Sequence, residues 1–447
     1  MTAQPDITAE PSPEAGAPPA VYINELGAHE GAVVTLRGWL QHLRSKGRLI
    51  FIVVRDGTGI CQIVASRADV PPAVWAAAER LTLESSFAAT GLVRRDARAP
   101  GGFEISLQEL EVYQYAEDYP ITEKEHGTAF LMENRHLWLR SSRQHAALKI
   151  RATVIRALQD YLDDHGFTRV DAPILTTNAA EGTTTLFETE YFGQPAFLSQ
   201  SGQLYNEAAI ASLGRVYCFG PTFRAEKSKT RRHLMEFWMV EPEVAFMDLE
   251  GLLRLEEDFI SYIVQRVLAD RAEELRVLER DPAKLEVVRP PFPRITYDQA
   301  IAVLQQHEPT TQWGDDFGGD EETILASQYE KPLFITHYPT ANKAFYMEPA
   351  PGRPEVVLAA DLIAPEGYGE ICGGSQRIAD LALIEERIAA HGLPRAAFDW
   401  YVSLRRYGTV PHSGFGMGIE RCTAWIAGLP HLRETIPFPR MYEWCKP

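Results

Sequence analysis

The residues with the clearest chemical potential lie between Gly220 and Glu243, in the stretch GPTFRAEKSKTRRHLMEFWMVEPE. Lys227, Lys229, Arg231, Arg232 and His233 crowd its polar middle, and cations at that density repel one another unless a polyanion sits among them. A phosphate chain suits this arrangement. Arg224 stands apart inside an apolar run, where a guanidinium withdrawn from water needs a carboxylate or phosphate to fork onto. An internal pair with Glu226 or Glu241 would satisfy it equally well. A second stretch, GFGMGIERCT at 414–423, alternates three glycines before an apolar helix that carries Glu420 and Arg421 in its first turn. Glycines let the backbone approach a ligand closely, and a helix start favours anions. Its spacing matches neither the dinucleotide nor the P-loop pattern. Asp361 and Glu370 frame a turn beside a strand, and paired carboxylates near phosphates imply Mg²⁺.

These groups need a sheet to hold them. Val216, Tyr217, Phe219 and Phe223 on one side of the basic stretch, and Phe237, Trp238, Met239 and Val240 on the other, predict two antiparallel strands joined by a basic loop. Ser141 or Ser142 caps a predicted helix whose apolar positions Ile150, Val154, Leu158 and Leu162 recur every four residues, ending near Gly166. The following TRVDAPIL reads as an edge strand, because Pro173 cannot donate to a ladder. Asp248 opens a helix predicted over 248–277, and residues 331–377 return to strands. The acidic QWGDDFGGDEET lacks a calcium-loop spacing and reads as a solvated turn.

Upstream, residues 21–115 hold five strand-like runs and one short helix, the pattern of an OB barrel. The domain is charge-balanced, and Arg37, Arg44, Lys46 and Arg48 cluster near Phe51. Phe51 is either a core residue or a platform for an unstacked base. Residues 1–20, rich in Pro, Ala and Glu, are expected to be a disordered tail, and residues 116–140 a hinge before a catalytic domain at 141–447.

FRAE with its loop and HLMEF, followed by GFGMGIER, resembles the second and third signature motifs of class II aminoacyl-tRNA synthetases. The likeness covers nearly the whole chain. It implies an α+β protein: an N-terminal OB-fold barrel, then a catalytic domain built on an antiparallel sheet flanked by helices. It also implies ATP held by Arg224, Glu226, Arg232, His233, Phe237, Glu370 and Arg421, with Arg224 and Arg421 as the catalytic cations and Asp361 and Glu370 as metal ligands. In the subgroup for aspartate, asparagine and lysine the OB domain reads the anticodon, and FIVVRDGTGICQ matches with Phe51 and Gln62, joined by Arg44. The first motif's proline, here Pro173, implies a homodimer.

By the same resemblance the amino acid falls to Glu181, Gln203, Glu207, Arg224 and Arg377. QSGQLYNEA matches a pocket motif in which aspartate enzymes carry a lysine where this chain has Asn206, followed by Glu207. Losing a cation and gaining an anion suits a neutral amide and repels aspartate. An Asn–Glu pair at a helix start with no ligand, and a structural salt bridge at Arg377, are the plainer alternatives. The expected reaction is ATP-dependent attachment of asparagine to tRNA(Asn) through an adenylate. The alternatives are a compact enzyme for aspartate with relaxed tRNA specificity, or a catalytically inactive RNA-binding paralogue.

Composition sets the outer limits. The chain has 447 residues and a formal net charge of −17, which opposes indiscriminate polyanion binding and confines RNA to local basic patches. Neither DNA nor a membrane is an expected partner. No apolar run is long enough to span a bilayer and no export signal opens the chain, so a cytoplasmic location is expected. The five cysteines are scattered without metal-ligand spacing and read as reduced thiols.

Overall fold

A computed structural model describes residues 16–178, 180 and 186–447. The chain forms two units, one ending at His126 and the other running Gly127–Pro447.

In the first unit, strands β1 (Val33–Lys46), β2 (Leu49–Arg55), β3 (Ile60–Ser66), β4 (Ser86–Arg95) and β5 (Phe103–Gln114) close into a barrel of order β1-β2-β3-β5-β4, with helix α1 (Pro72–Glu79) between β3 and β4. The strands alternate, so that Leu36, Leu40, Ile50, Ile52, Val54 and Ile63 fill the interior and their neighbours face outward. Closure requires backbones to pass closely. A Cβ on Gly38 would lie 2.3 Å from the Arg55 carbonyl oxygen, and one on Gly91 would lie 2.1 Å from that of Ser106. The expected tail includes residues that pair with the barrel: Thr35 donates to the Pro19 carbonyl at 2.9 Å and accepts from Val21 at 3.1 Å. Residues 1–15 lie outside the described chain.

The second unit is organised on an eight-stranded sheet. Its order is Arg294–Thr296, Leu333–Thr336, Ala359–Ala364, Gly369–Gln376, His412–Gly418, Glu236–Ala245, Arg215–Phe223 and Thr168–Arg169. The first and last pairs are parallel and the rest antiparallel. Helix Ser142–Asp164 is capped by the Ser141 hydroxyl and Leu249–Asp270 by the Asp248 carboxylate. Their apolar faces, including Val154, Leu158, Phe259 and Ile263, cover the sheet.

Three expectations change. The helix predicted over 248–277 breaks at Arg271, whose φ of −131° is not helical, and resumes as Ala272–Val277. TRVDAPIL is not one strand: Thr168–Arg169 joins the large sheet, Leu175–Thr176 joins a separate three-stranded sheet, and Pro173 lies between them. The hinge stretch contains helices Thr128–Glu133 and Arg135–Trp138, and the buried Arg135 donates to the carbonyls of Ile436 and Pro437, both at 2.8 Å. All five cysteines are free, and only Cys445 is exposed. Among the described residues no helix is long and apolar enough to cross a membrane.

Candidate active site and nucleic-acid face

Arg224 directly follows strand Arg215–Phe223, and its backbone N–H donates to Met235 at 3.0 Å across the base of the basic loop. Its guanidinium carbon lies 5.5 Å from the Phe237 ring centre. On the neighbouring strand Gly418 pairs with Met239, so the glycine stretch presents bare backbone beside these side chains. The result is a cleft of about 390 Å³ lined by Arg224, Glu226, Arg232, His233, Phe237, Glu370 and Arg421, all seven residues expected to hold ATP. Arg421 donates to the Glu370 carbonyl at 3.0 Å and lies 3.7 Å from its carboxylate. Burial, reinforced by the charge of Arg421, holds His233 below its usual pKa even though Glu226 lies 3.4 Å away.

Arg232 reaches the cleft but is engaged elsewhere. Its guanidinium donates to the carbonyls of Gly319 (3.1 Å) and Gly367 and to the Thr323 hydroxyl (3.1 Å), and lies 3.6 Å from Glu322. It therefore anchors the basic loop to helix Gly319–Ala326 and is not a free phosphate donor.

A second cavity of about 300 Å³ adjoins the first and shares Arg224, Met239, Asp316, Glu370 and Gly416 with it. Gln203, Glu241, Glu243 and Arg377 line its wall. Arg377 forks onto Glu243 at 3.0 and 2.9 Å and donates to Ser375 at 2.8 Å. Glu241 accepts from the Gly202 amide at 2.8 Å and from the Ser201 hydroxyl. The Glu241 and Glu243 roles escaped the sequence reading, although the period of two that places Met239, Glu241 and Glu243 on one strand face was available.

Glu207 does not reach this cavity. It is 3% exposed and accepts from Arg405 (2.6 Å), Tyr401 (2.8 and 2.9 Å), His412 (3.0 Å) and Gln203 (3.1 Å). Helix Gln203–Leu213 sets Gln203 one turn before Glu207, so the glutamine faces the cavity and the glutamate stands behind it. Asn206 is also turned away, donating to the Glu241 carbonyl at 2.7 Å. Glu181 lies outside the described residues.

The acidic stretch read as a solvated turn belongs to the site. Asp316 lines both cavities, Phe317 stacks on Tyr297 with ring centres 4.9 Å apart, and Glu322 enters from helix Gly319–Ala326. Asp361 and Glu370 converge on Gly373, where a Cβ would stand 3.5 Å and 2.8 Å from their oxygens. Burial raises Asp361 to about 6, against the opposing pull of Lys343 at 2.6 Å, with Glu370 adding to the rise. Burial and then Glu370 raise Glu322 to about 7. Mutually repelling carboxylate oxygens beside a phosphate cleft fit a hard divalent cation. Each already faces a cation: Asp361 binds Lys343 at 2.6 Å, Glu322 lies 3.6 Å from Arg232 and Glu370 lies 3.7 Å from Arg421.

In the barrel, Arg44, Phe51 and Gln62 share the outward face of β1, β2 and β3. The Arg44 guanidinium lies 5.0 Å from the Phe51 ring centre, and Gln62 donates to Glu104 at 3.1 Å.

A cation-rich cleft that shares Arg224 with a smaller polar cavity, on a mostly antiparallel sheet, follows an OB barrel in the chain. Residues 127–442 match the family model for class II tRNA synthetases (D, K and N), residues 34–113 match that for OB-fold nucleic acid binding domains, and the chain belongs to this synthetase family. Within it, the chain is 59% identical over 430 residues to an asparagine–tRNA ligase of Roseiflexus sp. (strain RS-1), covering 95% of this chain and 98% of that one. It is 57% identical over 429 residues to one of Chloroflexus aurantiacus (strain ATCC 29366 / DSM 635 / J-10-fl), covering 94% and 98%. Among solved structures, asparaginyl-tRNA synthetase from Pyrococcus horikoshii complexed with asparaginyl-adenylate aligns with TM-score 0.93 at 44% identity, covering 96% of this chain and 99% of that one.

Proposed function

We propose that the chain attaches asparagine to tRNA(Asn) through an asparaginyl-adenylate, with ATP in the first cavity and asparagine in the second. The observation that carries this reading is Arg224, shared by both cavities where the α-phosphate and the amino-acid carboxylate must meet. A carboxylate oxygen of asparagine attacks the α-phosphorus in line while the bond to pyrophosphate breaks. The 3′-terminal ribose hydroxyl of the tRNA then attacks the acyl carbon, its proton leaves, and AMP is released. Arg224 donates to both reacting partners, Arg421 and His233 hold the outer phosphates, and Phe237 stacks on adenine. Positioning and fixed charge supply the catalysis, with no protein nucleophile.

Selection of the amide follows from the second cavity. Glu241, held by neutral donors, accepts from the substrate NH₂, while Arg377 donates to its carbonyl oxygen. An aspartate would set a second carboxylate against Glu241, at a cost the amide avoids. Glu370, Glu322 and Asp361 would hold Mg²⁺, which when bound neutralises phosphate charge. Phe51, Arg44 and Gln62 take the anticodon. The chain works in the cytoplasm as a homodimer, and the exposed Ile174 (46%) and Leu175 (42%) beside Pro173 are apolar surface for that contact.

The test is exchange of labelled pyrophosphate into ATP without tRNA, comparing asparagine, aspartate and lysine. Exchange with asparagine alone supports the reading. Exchange with aspartate overturns the pocket assignment, and no exchange overturns the enzyme reading.

A further inference from the structure

The outward face of the barrel is built of three cross-strand rows. Arg44, Phe51 and Val64 form one row; His42, Val53 and Gln62 form the next; Trp39, Arg55 and Ile60 form the third. A bulge between Leu40 and His42 keeps Trp39 facing the same way as His42 and Arg44. The outer rows repeat one device, an aromatic ring with a guanidinium from the adjacent strand. Arg44 lies 5.0 Å from the Phe51 ring centre and Arg55 lies 5.8 Å from that of Trp39.

The third row is prepared for a ligand in a way a solvated strand does not require. Arg55 forks onto Glu84 with both contacts at 2.6 Å, which fixes the guanidinium plane and neutralises that carboxylate. Trp39 is nevertheless 44% exposed, and its row-mate Ile60 is 41% exposed. Large apolar side chains on a rigid sheet face, with a cation pinned among them, suit the flat face of a nucleobase. The remaining charges are Glu104 on Gln62 and Glu123, which lies 2.6 Å from His42 in the middle row. Four residues separate Phe51 from Arg55, about 13 Å of strand. Stacked bases rise only about 3.4 Å each, so the two rings serve different, unstacked nucleotides of one loop.

We propose that Trp39, backed by Arg55, is a second base-stacking platform that takes an anticodon-loop nucleotide other than the one on Phe51. The proposal rests on the reading that this face binds tRNA(Asn). Gln62 then stands between two stacking sites, and the loop is spread across the face instead of gripped at a single base.

The experiment uses the full chain and tRNA(Asn) transcripts carrying 2-aminopurine at single anticodon-loop positions. Trp39→Ala is expected to weaken tRNA binding by about 5- to 150-fold, the range of one lost base stack, and to abolish the fluorescence change at one position. Phe51→Ala is expected to abolish it at another. Trp39→Phe is expected to retain most of both. Unchanged tRNA affinity and unchanged fluorescence in Trp39→Ala, with Phe51→Ala defective, overturn the platform alone. Unchanged binding in both variants overturns the assignment of this face to RNA. Recovery of binding and fluorescence in Trp39→Leu also overturns the proposal, because an aliphatic cover over Arg55 and Glu84 would then suffice.

Discussion

Arg377 and Glu243 meet as a two-point fork, 3.0 and 2.9 Å, with both side chains almost wholly withdrawn from solvent. Burial of either charge alone would be costly, and the fork is what keeps a cation beside the second cavity, where the proposed function places asparagine. Lysine offers a point charge without the planar geometry. Arg377→Lys is expected to lower kcat/KM for asparagine in pyrophosphate exchange by 100-fold or more while leaving KM for ATP within about threefold. An equal loss for both substrates would show that the fork supports the whole site and not the amide.

Arg224 lines both cavities, so on the proposed reading its loss removes a contact to both reacting groups. Arg224→Ala is expected to reduce asparagine-dependent exchange below detection, with asparagine binding by calorimetry weakened as well. Near-normal exchange in this variant would remove the motif assignment.

Arg232 fastens the basic loop to the helix that carries Glu322. Its expected effect is on cation affinity, not on amino-acid selection. Arg232→Ala should raise the Mg²⁺ concentration for half-maximal exchange several-fold with KM for asparagine little changed. A shift confined to KM for ATP would instead make Arg232 a phosphate ligand.

Glu207 and His412 give a pH signature. Burial alone would raise Glu207, but Arg405 and His412 overcome it and hold the carboxylate well below its usual 4.5. Burial alone would lower His412, but the hydrogen bond to Glu207 keeps it above its usual 6.5, with Glu243 adding to the rise and Arg405 opposing it. Stability from Glu207 is present above pH 4.5 and is lost as pH falls through its depressed pKa. Stability from His412 is present below pH 6.5 and is lost as pH rises through its elevated pKa. Both are complete only between those values. Urea midpoints of wild type and His412→Asn should therefore differ most in that window and converge above it. Glu207→Gln, which leaves Arg405 buried with its charge uncompensated, should cost about 3–5 kcal/mol.

Short-range signals in the chain are enough to gather the residues of the first cleft. Arg224, His233 and Phe237 lie on one hairpin and its loop, and Arg421 follows a glycine strand that pairs directly with that hairpin. Period-two alternation, turn residues and local cation density are short-range signals, and they specify such a cleft before any long-range packing is known. The five barrel strands were legible for the same reason, each being a short alternating run bounded by turns. Which residues face the second cavity depends on long-range packing. Gln203 and Glu207 are one helical turn apart, yet only packing against Tyr401, Arg405 and His412 turns the glutamate inward and leaves the glutamine on the wall. Lys343 reaches Asp361, and Asp316 and Glu322 enter the site, only because distant segments fold over the sheet. Charge pattern within a segment cannot distinguish an acidic turn in water from one lining a cavity, since the difference lies in residues that are remote in the chain and adjacent in the fold.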